Sequence, residues 1–137
     1  MFHKVYVVKF RIDGKMCYKV GITRHQDVID RFAKDLIDRT ITDFKVIKSG
    51  YVHSSNEAEA LEDRLMETIF KSFPDNNYYP DPENPKRGQF HNFFTKTKLG
   101  GITETRKYDH KEVGLAVEFI KENTYINVKD FRNARNK

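Results

Sequence analysis

Tyr6, Lys19, Arg31 and Glu62 are the residues whose types and spacing could do chemistry together in this chain. A phenol can orient or activate water, an ammonium and a guanidinium can neutralise phosphate charge, and a carboxylate can hold a hard cation. Metal-assisted phosphodiester hydrolysis needs these parts. Local sequence brings two of the four together. Asp13-Gly14 separates the run Lys4-Val5-Tyr6-Val7-Val8-Lys9-Phe10 from a second run ending in Tyr18-Lys19-Val20-Gly21-Ile22-Thr23. Both turn residues tolerate positive φ, so the pair predicts a type I′ hairpin. That turn pairs Ile12 with Lys15, Phe10 with Cys17, Val8 with Lys19 and Tyr6 with Gly21. Side chains alternate faces along each strand, so Tyr6, Lys19 and bare Gly21 share one face. A phenol beside an ammonium over open backbone suits a phosphate.

Glu62 is the next clue. On a helical wheel it falls among Ala58, Leu65, Met66 and Ile69, on the apolar stripe, whereas Glu57, Glu59 and Glu67 point to the flanks or to solvent. An acid on that stripe must be paired or must ligate a metal. Two readings stand: a salt bridge to a core-facing arginine, or a lone carboxylate holding Mg²⁺, which often takes one or two protein oxygens plus water. Arg31 lies on the flank of its own helix, where by itself it reads as a surface arginine.

The elements that must position these residues follow from pattern. Val28, Phe32 and Leu36 recur at helical spacing and predict a short helix over Asp27–Asp38. Phe44, Val46 and Ile47 place a third strand over Asp43–Val52. Ser54-Ser55-Asn56 offers helix caps with acids close behind, and Ala58, Leu61, Leu65, Met66, Ile69 and Phe73 form the stripe of a helix that Pro74 stops. Pro80, Pro82 and Pro85 make 75–88 an ordered loop or arm, and 89–95 reads as a short aromatic strand. After Gly100-Gly101, Val113, Ala116, Val117 and Ile120 predict a helix over Asp109–Asn123. The tail from Tyr125, with Lys129, Arg132, Arg135 and Lys137, is expected to fray.

The whole chain sets bounds. Its 137 residues suit one domain, and aromatic side chains (11 Phe, 7 Tyr) argue against disorder. A formal net charge of +5 points to an anionic partner, nucleic acid being the commonest, or to a surface kept basic for solubility. A single cysteine, Cys17, makes neither an internal disulfide nor a cysteine-based zinc site, which fits a reducing, cytoplasmic compartment; within its strand it reads as a packing residue. No run approaches a membrane span and no signal peptide or N-terminal targeting domain is expected, so no membrane partner is either.

The order strand, strand, helix, strand, then a helix with one inward Glu is similar to the GIY-YIG nuclease superfamily. Within it the chain most resembles the branch described as T5orf172 or Mug113-like, common in phages and mobile elements. Lys4-Val5-Tyr6 resembles the first motif, Lys19-Val20-Gly21-Ile22-Thr23 the second, in that branch's Lys-Ile-Gly form, and Arg31-Phe32 the following Arg. Ala60-Leu61-Glu62, with Leu65 and Phe70, resembles the metal-binding helix, and Arg87-Gly88-Gln89-Phe90 through Phe93-Phe94 the closing strand. The resemblance implies an α/β (α+β) fold. A GIY-YIG-type nuclease domain would cover residues 1–98, with a central three-stranded antiparallel sheet flanked by helices. A C-terminal helical extension and basic tail would cover 99–137. It implies a Mg²⁺- or Mn²⁺-dependent endonuclease acting on nucleic acid, DNA favoured over RNA. Tyr6 would orient or activate water, its usual pKa of about 10 lowered by Lys19. Arg31 would hold the scissile phosphate and Glu62 would be the protein's metal ligand. Gly21, Thr23, His91, Lys96 and Lys98 would contact the nucleic acid.

Other residues leave alternatives open. The five histidines show no ligand spacing with Cys17. His91 is either structural or lines the groove, and Tyr78-Tyr79 either anchor their loop or stack on bases. Lys96, Lys98, Arg106 and Lys107 either track a phosphate backbone or form a solvated loop. Asp35 stands one turn after Arg31, where several restriction-type members carry His or Tyr, and Lys19 replaces the motif tyrosine. Both suit a different class of function: a weakly active or inactive module of the same fold that binds nucleic acid or a nucleotide-like ligand.

Overall fold

The computed structural model describes residues 3–74 and 105–135. Its spine is the hairpin of β1 (His3–Ile12) and β2 (Lys15–Thr23). The turn closes on Asp13 and Gly14 with φ of 50° and 78°, the two positive values a type I′ turn requires. The register is the expected one, with Ile12 opposite Lys15, Phe10 opposite Cys17, Val8 opposite Lys19 and Tyr6 opposite Gly21. β3 (Thr42–Val52) pairs antiparallel with the other side of β1, across register shifts between Val7 and Val8 and between Lys9 and Arg11.

The sheet has four antiparallel strands rather than three. β4 (Thr105–Lys107) pairs with β2, giving the order β3-β1-β2-β4. Three residues carry too little pattern to read as a strand. β4 is held by distant partners instead, since Arg106 at its centre is ion-paired to Glu112 and the Tyr108 amide donates to the Met16 carbonyl at 3.0 Å.

Alternation along β1 and β2 gives the sheet two apolar faces. On one, Val5, Val7, Tyr18 and Val20 meet α2 (Ser55–Ser72) and α3 (His110–Asn123) through Leu61, Leu65, Ile69, Val113, Ala116 and Ile120. Each such side chain, fully buried, contributes about 1.5–3 kcal/mol. Segment 99–137 thus supplies both a strand and part of this core. On the other face, Tyr6, Val8, Phe10, Ile12 and Cys17 meet Val28, Phe32 and Ile41.

The helices start where side chains can cap them. Ser54 Oγ accepts from the Glu57 amide at 3.1 Å and Glu57 Oε2 accepts from the His53 amide at 3.1 Å, satisfying two backbone donors at the start of α2. Asp109 caps α3 through the amides of Lys111 and Glu112. The helix expected over 27–38 is a 3₁₀ turn (Val28–Phe32) followed by α1 (Ala33–Ile37). Val28 and Phe32 still bury against the sheet, but Asp27 makes no side-chain cap bond and Phe32 breaks the path at φ −109° and ψ 7°.

The described part of the tail, to Arg135, is built into the fold rather than frayed. Tyr125 exchanges two backbone hydrogen bonds with Tyr51, and α4 (Val128–Arg135) follows with Phe131 buried at its centre. The charge of this segment hides one apolar anchor, which the rings of Tyr51, His53 and Tyr125 hold in place. No helix among the described residues is long and apolar enough to cross a membrane. Tyr78, Tyr79, the expected strand 89–95, His91, Lys96 and Lys98 lie outside the described residues.

Candidate functional site

Tyr6, Lys19 and Gly21 share one face of the hairpin. Lys19 Nζ stands 3.5 Å from Tyr6 Oη, the long limit for a hydrogen bond, and 5.7 Å from the ring centroid, so the ammonium sits at the phenol oxygen rather than over the ring. Both side chains are buried: Tyr6 is 0% exposed and Lys19 5%. A Cβ built on Gly21 would collide with Tyr6 Oη and lie 3.0 Å from Lys19 Nζ. The glycine therefore makes the space in which phenol and ammonium meet. Phe32 meets the Tyr6 ring edge-on, with centroids 5.7 Å apart and planes at 79°.

Arg31, the sequence neighbour of Phe32, turns outward into a cavity of about 330 Å³, within the ~300–1,000 Å³ range of small-molecule pockets. Thr23 lines it too, two residues along the same face from Gly21, a step of about 6–7 Å in a strand. The turn after β2 adds Arg24 and His25, β1 adds His3, and the first turns of α2 add Ser55, Ala58 and Glu59. This turn is fixed at two points: Thr23 Oγ1 accepts from the His25 amide at 3.0 Å, and Lys4 Nζ donates to the Gln26 carbonyl.

The cavity is cationic in balance, with two guanidiniums against the carboxylate of Glu59. Among the described residues Arg24, Arg31 and Glu59 enter no ion pair, so the guanidiniums keep their donors for an anion. The start of α2 adds the positive end of its helix dipole. Sequence reasoning missed Arg24, His25, His3 and Glu59, because their place depends on how the turn after β2 folds back towards α2.

Glu62 is half-buried on α2, one turn beyond Ala58 and Glu59, and is not among the residues lining this cavity. The structure thus joins Tyr6, Lys19 and Gly21, and separately Thr23 and Arg31, and Glu62 does not line the cavity that holds Arg31. No three His, Cys, Asp or Glu cluster as a metal cage among the described residues. A single half-buried carboxylate is a donor set that fits Mg²⁺, a hard ion that retains water, and does not fit a structural zinc.

The opposite face of the sheet holds a second polar group. Tyr18 Oη donates to Glu112 Oε1 at 2.6 Å and Arg106 Nε to the same oxygen at 2.7 Å, all three side chains being 2% exposed or less. Arg106 therefore tracks no phosphate backbone and belongs to no solvated loop; it is an internal counter-ion. Burial first, then the Glu112 carboxylate, holds the Tyr18 phenol protonated well above its usual range. Burial also pushes the Cys17 thiol up to about 11, which makes it a packing residue rather than a nucleophile.

Comparison of the chain with protein-family models, curated proteins and solved structures finds no match.

Proposed function

We propose that this chain is a metal-dependent endonuclease of the GIY-YIG kind, hydrolysing nucleic-acid phosphodiester bonds, DNA before RNA. The observation that supports this most is the Tyr6–Lys19 pair over Gly21, on the same strand face as Thr23 at the wall of an arginine-lined cavity. In this reading Arg31, with Arg24 beside it, holds the phosphate through charge-assisted hydrogen bonds. Tyr6 Oη orients the attacking water, and the ammonium of Lys19 favours negative charge on that oxygen. Glu62 is the protein ligand for Mg²⁺ or Mn²⁺, whose chemistry when bound is charge neutralisation at the leaving oxygen.

The test is incubation of purified protein with supercoiled plasmid, single-stranded DNA and RNA, in Mg²⁺, in Mn²⁺ and in EDTA. Cleavage that needs the metal and is lost in both Tyr6→Phe and Glu62→Ala supports the reading. Cleavage indifferent to both variants assigns it to another site or to a contaminant.

A second reading is a module of the same fold that binds nucleic acid or a nucleotide-like ligand without cleaving it. Two facts favour it: Tyr6 is fully buried, and Glu62 is not part of the cavity that holds Arg31. Phosphate-containing ligands that bind in EDTA and are never cleaved in metal would select it.

A further inference from the structure

Just before Ser55 of the cavity wall, the chain enters a cluster of rings that the site described above does not use. Phe131 of α4 stacks on Tyr51, with centroids 5.5 Å apart at 28°, and on His53, with centroids 4.7 Å apart at 23°. Tyr125 meets His53 edge-on at 5.4 Å and Phe131 at 6.0 Å. Packing alone accounts for Phe131, which is buried. It does not account for His53 and Tyr125, whose rings remain exposed at the rim of the cluster. Tyr125 is held by main-chain bonds to Tyr51, and its ring, packed on one side against His53 and Phe131, is still 37% exposed.

His53 precedes by two residues Ser55, which lines the arginine cavity, and the intervening Ser54 is extended at φ −149° and ψ 161°. The backbone positions of His53 and Ser55 are thus about 6–7 Å apart, within the reach of one nucleotide. The surroundings suit a polyanion: Arg24 and Arg31 outnumber Glu59 on the cavity side, and α4 exposes Lys129 and Arg132 against Asp130.

We propose that the exposed ring of His53, flanked by Tyr125 standing at 70° to it, is a stacking platform for a base of single-stranded nucleic acid whose adjoining phosphate occupies the Arg24–Arg31 cavity. The proposal rests on the phosphate-binding reading of that cavity and names the substrate class as single-stranded or unpaired, because a base held in a duplex has no free face to stack. Aromatic stacking tolerates any base, so the platform gives strand selectivity without sequence selectivity.

The experiment is a fluorescence-anisotropy titration in EDTA with a dye-labelled short oligothymidylate and an abasic oligonucleotide of equal length. The full-length chain is compared with the His53→Ala/Tyr125→Ala double variant, with His53→Phe and with Arg31→Ala. The double variant should weaken oligothymidylate binding by about tenfold, the size of one base–aromatic stack, and change abasic binding less than about twofold. His53→Phe, which keeps a stacking face, should bind oligothymidylate like the parent. Equal binding of both ligands by parent and double variant overturns the platform. So does an equal loss of both ligands, which would mark the rings as packing. Arg31→Ala should weaken both ligands; if it weakens neither, the cavity reading falls as well, whereas cleavage of plasmid is decided by its own assay.

Discussion

The phenol of Tyr6 lies over the bare backbone of Gly21, its cross-strand partner. The ring cannot swing aside, because Tyr6 is fully buried and Phe32 closes its edge. Gly21→Ala is therefore expected to destabilise the fold by about 1–3 kcal/mol, read as a lower midpoint in urea. In a Tyr6→Leu background the same substitution should cost much less, since the two residues then no longer compete for one volume.

Removing one member of the buried group around Glu112 leaves the others uncompensated. Glu112→Gln or Arg106→Met should each destabilise by about 3–5 kcal/mol. The double variant Arg106→Met/Glu112→Leu should cost less than the sum of its single changes. Equal, additive costs in chemical denaturation would show that the pair is not coupled.

Cys17 gives a pH dependence with a definite sign. Its thiol ionises near 9.0 when free and at about 11 in the fold. Below pH 9 both states are protonated and stability is unaffected; between pH 9 and 11 the unfolded thiol ionises first, so stability falls as pH rises. The Tyr18 phenol, also raised, acts in the same direction above its ordinary value. Cys17→Ser should flatten the thiol's share of the decline. At pH 8 the native thiol should resist Ellman's reagent and react fully only in denaturant.

Arg31 is exposed and meets no ion-pair partner among the described residues, so its loss should leave the melting temperature within a degree or two. Arg31→Ala should weaken oligonucleotide binding and lower the slope of log K against log salt by about one. A binding curve and salt slope unchanged from the parent would remove Arg31 from the phosphate site.

The hairpin was legible because its determinants are local: Asp13-Gly14 sets the turn, and period two then dictates that Tyr6, Lys19 and Gly21 share a face. The stripe of α2 and its Ser54 cap were legible for the same reason. What escaped was set by distant contacts. β4 has three residues and one buried arginine whose partner, Glu112, lies in a different element. The cavity takes residues from β1, the turn after β2, the 3₁₀ turn and α2, and no spacing rule links His3 or Glu59 to Arg31. Phe131 stood among charges that masked it. Glu62 was placed on the buried stripe by its wheel position, and it is half-buried, at the margin of that stripe.

The residues from Thr105 onward cover part of both sheet edges, with β4 along Cys17–Lys19 of β2 and Tyr125 bridging to Tyr51 of β3. Without them these stretches of β2 and β3 would offer more open amides and carbonyls, templates for pairing with another molecule. A fragment ending at residue 98 should therefore self-associate where the full chain stays dispersed, which light scattering of the two at equal concentration would reveal. That result would assign the C-terminal segment a second task, guarding the hairpin that carries Tyr6 and Lys19 from aggregation.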